Sequence, residues 1–324
     1  AVSRRRKLKN MKKINLLIGT FLTTIALSHA VDSYSDIVGY YKKTFPAGGS
    51  LQSVALLKPV TFQGAATSIS SAVLTSTGAN WTANAFAPVN GLPAYYVEIT
   101  SGPREGYLYD VVSNTANTVT VDDTSIAAAG STPNFIIRAH TKLSDALRGA
   151  TNLVDYADQV TVYNGDGSVV SFLRDSSTTS GWVDATSFSE SDAVIYPSQG
   201  YVLTTSSSGD YTVSGTLKNS KTVVPLFAGQ VNIVSLANPG GVSRSIQNIN
   251  LGAGLVDYAD QVATYLDDGS LGTSNALLYG GVADGFLDAT SFSPVAGVNV
   301  NGAESVIVSV GSPTTWVLNP PLSQ

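Results

Sequence analysis

The residues in this chain best suited to chemistry are two short acidic clusters. Asp155 and Asp158 stand three apart in Leu153-Val154-Asp155-Tyr156-Ala157-Asp158-Gln159-Val160, and Asp184 follows downstream. The same set returns as Asp257, Asp260 and Asp288. Two carboxylates flanking a sugar can serve as the acid and nucleophile of a glycosidase. A carboxylate cluster can also hold calcium. The third reading is that each Asp closes a turn by accepting backbone N–H bonds. That reading is favoured because the whole set occurs twice, each time beside the start of a strand. A reaction needs one centre, whereas a duplicated scaffold needs its turns twice. No catalytic residue is assigned, and the chain is read as a non-enzyme.

Other motifs fall away on their spacing. Asn164-Gly165-Asp166-Gly167 invites a calcium-loop reading, but the positions that should hold an acid and a terminal Glu hold Val162 and Leu173, so a hairpin turn is expected. Only His29 and His140 occur, and the absence of Cys removes thiolate metal sites and cysteine nucleophiles. No G-x-S-x-G elbow is present, and Gly240-Gly241 lacks the strand and helix that a nucleotide loop requires. No metal and no cofactor is expected. Trp81, Tyr95, Tyr96, Tyr107 and Tyr109 cluster in one stretch and could stack on a sugar, the alternative being that they fill a core.

The elements that must position these residues are strands. Thirty Gly, 13 Pro and 15 Tyr, with abundant Val and Thr, favour strands joined by turns. A charged fraction of 13% against 43% hydrophobic residues excludes a disordered, solvating chain. Tyr163-Asn164-Gly165-Asp166-Gly167-Ser168 matches Tyr265-Leu266-Asp267-Asp268-Gly269-Ser270 at the offset of the Asp155/Asp257 repeat, and the stretch from Trp182 to Ser189 matches Phe286 to Ser293. This is the mark of a tandem duplication. The stretch before each block is also alike, from Lys42 to Pro59 and from Lys221 to Pro239. In the first copy more than ninety residues separate it from the next repeated block, far more than a structureless loop supports. Residues 61–141 therefore read as an insert of five short strands, expected to form a small β-barrel.

The N-terminus gives an address. Met11, Lys12 and Lys13 precede an apolar run over 14–27 that closes on Ser28-His29-Ala30, the pattern of a secretory signal peptide cut after Ala30. Residues 1–10 lie upstream of that signal and are excluded from the fold. Seven of the 18 Lys and Arg precede residue 31 and none of the 23 acids does, which leaves 11 bases, a net of −12. Such a surface repels phosphate backbones, so nucleic acid is not expected as a partner. No integral membrane segment is expected after cleavage.

The repeat carrying Pro46-Ala47-Gly48, Ala157-Asp158-Gln159-Val160 and Trp182, with Tyr96-Val97-Glu98-Ile99-Thr100-Ser101-Gly102 and the 113–121 stretch of the insert, resembles a family of secreted, uncharacterised β-rich repeat proteins of Verrucomicrobia-type bacteria. It is also similar to small β modules of phage and surface structural proteins. The resemblance implies an exported scaffold and transfers no catalytic residue. The expected fold is mostly β. Two tandem homologous β-sandwich-like units (31–60 with 142–217, and 218–324) are expected, the first interrupted by the barrel at 61–141. The expected function is that of a secreted or cell-surface structural or interaction protein, self-assembling by β-strand pairing through a free strand at 31–41. The alternative is a carbohydrate-binding or adhesin module that takes a surface glycan on the insert's aromatics. A glycan-active hydrolase using the Asp pairs ranks below both.

Overall fold

The computed structural model describes residues 38–236, 244–248, 254–300 and 302–319. The signal segment at 1–30, residues 31–37 of the expected free strand and the Gly240-Gly241 turn lie outside the described residues. The protein is mostly β, with 47% strand and 6% helix. Strands are numbered β1–β26 along the chain.

One five-stranded sheet has the order β14 (Trp182–Asp184), β13 (Val169–Arg174), β12 (Gln159–Tyr163), β16 (Gly200–Thr205) and β2 (Gly48–Ser53). A three-stranded sheet of β1 (Val38–Phe45), β17 (Gly209–Leu217) and β3 (Leu56–Leu57) shares its core, which gathers Phe45, Val160, Phe172, Trp182, Leu203 and Tyr211. The period of two is visible in β1. Tyr41, Lys43 and Phe45 point inward, while Tyr40, Lys42 and Thr44 face solvent. A pair of short strands, β11 (Thr141–Lys142) and β15 (Val194–Ile195), leads into the helical turn α1 (Leu143–Ala146).

A second five-stranded sheet runs β19 (Asn232–Ser235), β25 (Ser305–Ser309), β21 (Gln261–Tyr265), β22 (Thr273–Tyr279), β23 (Phe286–Asp288). It packs with the pair β18 (Thr222–Leu226) and β26 (Thr314–Leu318) around Leu226, Val262, Leu277, Phe286 and Trp316. The pair β20 (Arg244–Ser245) and β24 (Asn299–Val300) completes this part, and a helical turn α2 (Gly281–Asp284) precedes β23. The two five-stranded sheets meet along a seam. Ser53 N–H donates to the Ala303 carbonyl, Ser305 Oγ to the Gln52 carbonyl, and Gly49 N–H to the Gly269 carbonyl. Gly48 and Gly269 both have positive φ, and a Cβ on either would strike the other strand's backbone at 2.2 and 1.7 Å. Glycine is what lets these backbones approach.

Between β3 and β11 lies a seven-stranded sheet. Its order is β4 (Val60–Ala65), β10 (Asn134–Ala139), β7 (Tyr95–Ile99), β8 (Leu108–Asn114), β9 (Thr118–Val121), β6 (Val73–Thr75), β5 (Ser68–Ser70). The five strand runs expected from sequence are β6 to β10, and β4 and β5 are additional. The expected closed barrel does not form: among the described residues no sheet closes into a barrel. The reason is a corner at Ala66-Thr67. Ala66 N–H bonds the Pro133 carbonyl on one side, and Thr67 N–H bonds the Thr75 carbonyl on the other. The two edge strands are thus consecutive pieces of one kinked segment, lying end to end with no ladder between them. The curled sheet still encloses a core of Leu74, Val97, Ile99, Val119, Ile126, Phe135 and Ile137.

Among the described residues no helix is long and apolar enough to cross a membrane.

Candidate functional site

The repeated acids do not converge on a cleft. Asp158 is fully buried, and its Oδ2 accepts the Val154 N–H at 2.8 Å. Its Oδ1 accepts both the N–H and the hydroxyl of Ser206 at 2.7 and 2.8 Å. Asp260, also fully buried, accepts the Val256 and Gly311 N–H groups at 2.7 and 3.0 Å. Asp155 turns outward and accepts the Ser176 N–H and hydroxyl, and those bonds hold its carboxyl below the usual range. Asp257 lies against Gly281, where a Cβ would meet its Oδ2 at 2.8 Å. Asp184 Oδ1 accepts the Thr186 and Ser187 N–H groups, and Asp288 Oδ1 those of Thr290 and Ser291. In both, the backbone bonds from these serines are the main cause of a lowered pKa. Five of these six carboxylates spend their lone pairs on turns. Asp166, in the hairpin loop, accepts from Ser168. Among the described residues no group of three or more His, Cys, Asp or Glu is placed to hold a metal ion.

The five aromatics of the 61–141 stretch divide. Tyr96 is 1% exposed. Trp81 packs edge-on against Phe62, Phe86 and Phe135, and Tyr95 packs against Phe86. Tyr96 is thus buried, while Trp81 and Tyr95 are half-buried against the core of the curled sheet. Tyr107, half-buried against the same core, and Tyr109, buried in it, also line a cleft of about 470 Å³, within the ~300–1,000 Å³ range of small-ligand sites.

Three stretches build this cleft. The curled sheet contributes Arg104, Tyr107 to Asp110, Asp122, Asp123 and Ser125. The β12–β13 turn and the residues after β15 contribute Tyr163 to Gly165 and Tyr196 to Gln199. The floor is Val223 to Pro225, with Phe227 and Asn232 beside it. The floor is clamped to the sheet where Val223 N–H donates to the Gly106 carbonyl. Close by, the buried Lys218 ammonium donates to Glu98 Oε1 at 2.5 Å. Phe227 is held by Asn232, whose side chain accepts the Phe227 N–H and donates to its carbonyl. Its ring lies flush on the hairpin turn, where a Cβ at Gly165 would meet the ring at 2.3 Å.

Asp110 is the most constrained group of the cleft. His140 Nε2 lies 2.9 Å from its Oδ1, and the Tyr196 hydroxyl donates to its Oδ2 at 2.5 Å. An ionised carboxylate only accepts, so His140 carries its proton on Nε2. The imidazole is packed between Tyr96 and Tyr196. Burial and then the Asp110 charge push the Tyr196 phenol up. Asp122 Oδ1 accepts the Asp110 N–H at 2.9 Å, and burial followed by the neighbouring Asp110 charge raises the Asp122 pKa. Arg104 stacks over the Tyr107 ring at 4.5 Å.

Sequence reasoning reached Tyr107 and Tyr109 through the clustering of five aromatics in one stretch. It missed Asp110, Asp122, Tyr163, Tyr196 and Phe227, which lie in separate stretches and carry no local motif. No protein family, no curated protein and no solved structure matches the chain.

Proposed function

We propose that this is an exported or cell-surface structural and interaction protein, which binds and assembles rather than turning over a substrate. The observation that carries this reading is the employment of the repeated acids. In both copies the buried Asp158 and Asp260 anchor the N–H group four residues back, and Asp184 and Asp288 cap the same turn. Matched through the repeated sequence, β14, β13, β12, β16 and β2 correspond to β23, β22, β21, β25 and β19, and the two sheets have the same order. That match supports two tandem β-sandwich-like units, with residues 61–141 inserted in the first. The basic, apolar and small-residue pattern at 11–30 supports export, as does the resemblance to secreted β-rich repeat proteins.

Assembly is assigned to β1. Among the described residues it pairs with β17 alone, and its outward face carries Val38 at 75% and Tyr40 at 81% exposure. An edge strand with apolar outward residues is a template for another strand. Sedimentation velocity and electron microscopy of the chain from residue 31, over rising concentration, test the reading. Oligomers are expected, and Val38→Lys with Tyr40→Lys should return them to monomer with an unchanged circular dichroism spectrum. A strict monomer at high concentration overturns it.

A further inference from the structure

The cleft between the curled sheet and the 222–234 segment has a lining of a particular kind. Its acidic and basic side chains are three carboxylates, Asp110, Asp122 and Asp123, against one guanidinium, Arg104. Asp123 is already committed to the Ser125 N–H and hydroxyl. Asp110 holds two donors and Asp122 one backbone donor, which leaves acceptor positions on both, since a carboxylate offers about four. Beside them stand the half-buried rings of Tyr107, Tyr163 and Phe227. The Tyr109 hydroxyl is buried next to Ser125 and, among the described residues, has no partner at hydrogen-bonding geometry.

Acceptor-rich walls beside aromatic faces suit a ligand that carries many hydroxyl donors on one edge and C–H groups on its faces. Phosphate, sulfate and uronate groups would meet an excess of negative charge. An extended basic peptide would also be drawn to the carboxylates. It would want free backbone groups, and here β8 is paired on both sides, by β7 and β9. Asp110 is fixed by His140 and Tyr196, so its acceptor geometry exists before any ligand arrives, which lowers the cost of binding.

We propose that this cleft is a binding site for a neutral glycan, with Phe227 and the Arg104-covered Tyr107 ring as its aromatic walls and Asp110 and Asp122 as hydroxyl acceptors. The proposal stands independently of assembly through β1. Isothermal titration of the chain from residue 31 tests it, using cellotetraose, maltotetraose, mannotetraose and N-acetylchitotetraose, with tetragalacturonate and tetralysine as counter-probes. At least one neutral tetrasaccharide is expected to saturate the protein. Tyr107→Ala and Phe227→Ala should each weaken it roughly tenfold, the size of one lost aromatic contact, with an unchanged circular dichroism spectrum. Tyr107→Leu keeps apolar volume without the ring and gives the same reading if the alanine variant unfolds. Three results overturn the proposal: no neutral probe binds, binding survives loss of both rings, or tetragalacturonate or tetralysine binds more tightly than every neutral probe.

Discussion

Replacing Lys218 by Met should be among the most damaging single changes in the molecule. The Lys218 side chain is 3% exposed and that of Glu98 is fully buried. Its ammonium donates to Glu98 Oε1, Ser220 Oγ and the Lys221 carbonyl. Met fills most of the same volume, so the change isolates the charge. Among the described residues it leaves the Glu98 carboxylate with the Ser220 hydroxyl as its remaining side-chain donor, and Oε2 already has none. Breaking a buried pair from one side costs about 3–5 kcal/mol, because the stranded ion keeps its desolvation penalty. At roughly 2 °C per kcal/mol for a chain of this length, the melting temperature should fall by roughly 6–10 °C. Removing both charges, with Glu98→Met and Lys218→Met together, should recover more than half of that loss, because no ion is stranded. Urea unfolding followed by tryptophan fluorescence, checked by calorimetry, gives both numbers. A single variant within about 1 kcal/mol of the parent, or a double variant worse than the single, refutes the reasoning.

Three further outcomes follow from the same geometry. Asp158→Ala strands the Val154 N–H together with the Ser206 N–H and hydroxyl, and should cost about 3 kcal/mol in urea unfolding, whereas the exposed Asp155→Ala should change little; equal effects would contradict the burial assignment. Phe188 is 60% exposed at φ 55°, so Phe188→Gly should raise stability by about 1 kcal/mol, and a fall in melting temperature would show that the ring has a structural partner. The carboxyls of Asp184 and Asp288 are lowered by backbone and hydroxyl donors, so the stability they contribute is present above the ordinary carboxylate pKa and is lost as pH falls through the lower, folded values. Melting temperature should therefore drop below pH about 4, less steeply in the Asp184→Asn, Asp288→Asn double variant; an unchanged slope contradicts the assignment.

The turn role of Asp158 was legible because it is a local fact. An Asp placed just before a strand can fold back onto an N–H four residues earlier, and the duplicate Asp260 does the same with Val256. Hairpins such as β12–β13 were legible for the same reason, through alternation and an Asn-Gly-Asp-Gly turn. The fate of Trp81 was not. Whether an aromatic in a curled sheet faces core or solvent depends on Phe62 and Phe135, from strands far along the chain. The corner at Ala66-Thr67 was hidden likewise, since it is defined by Pro133 on one side and Thr75 on the other. Asp110 looked like an ordinary strand residue, because Tyr196, its strongest partner, stands 86 positions away.

The repeated strain in the backbone argues for separating scaffold from site. Tyr156 and Tyr258 have φ of 59° and 57°, and Phe188 and Phe292 have 55° and 57°, conformations that bulky side chains rarely adopt. Strain of this kind often marks function, yet here each instance has a local cause. The Asp184 carbonyl accepts the Phe188 N–H and the Asp288 carbonyl accepts the Phe292 N–H, so the capped turn itself drives that residue left-handed. The hydroxyls of Tyr156 and Tyr258 reach Asp175 and Asp284, which offsets the cost at those two positions. The strained residues thus complete turns, and they do so twice. The cleft has no such twin. Tyr107, Asp110 and Asp122 come from the stretch between β3 and β11, which has no counterpart in the second half of the chain, and Phe227 reaches them from the start of that half. On the tandem reading, duplication supplied a rigid frame. The proposed binding cleft then lies where the frame's symmetry is broken, at the junction of the unrepeated sheet with both halves.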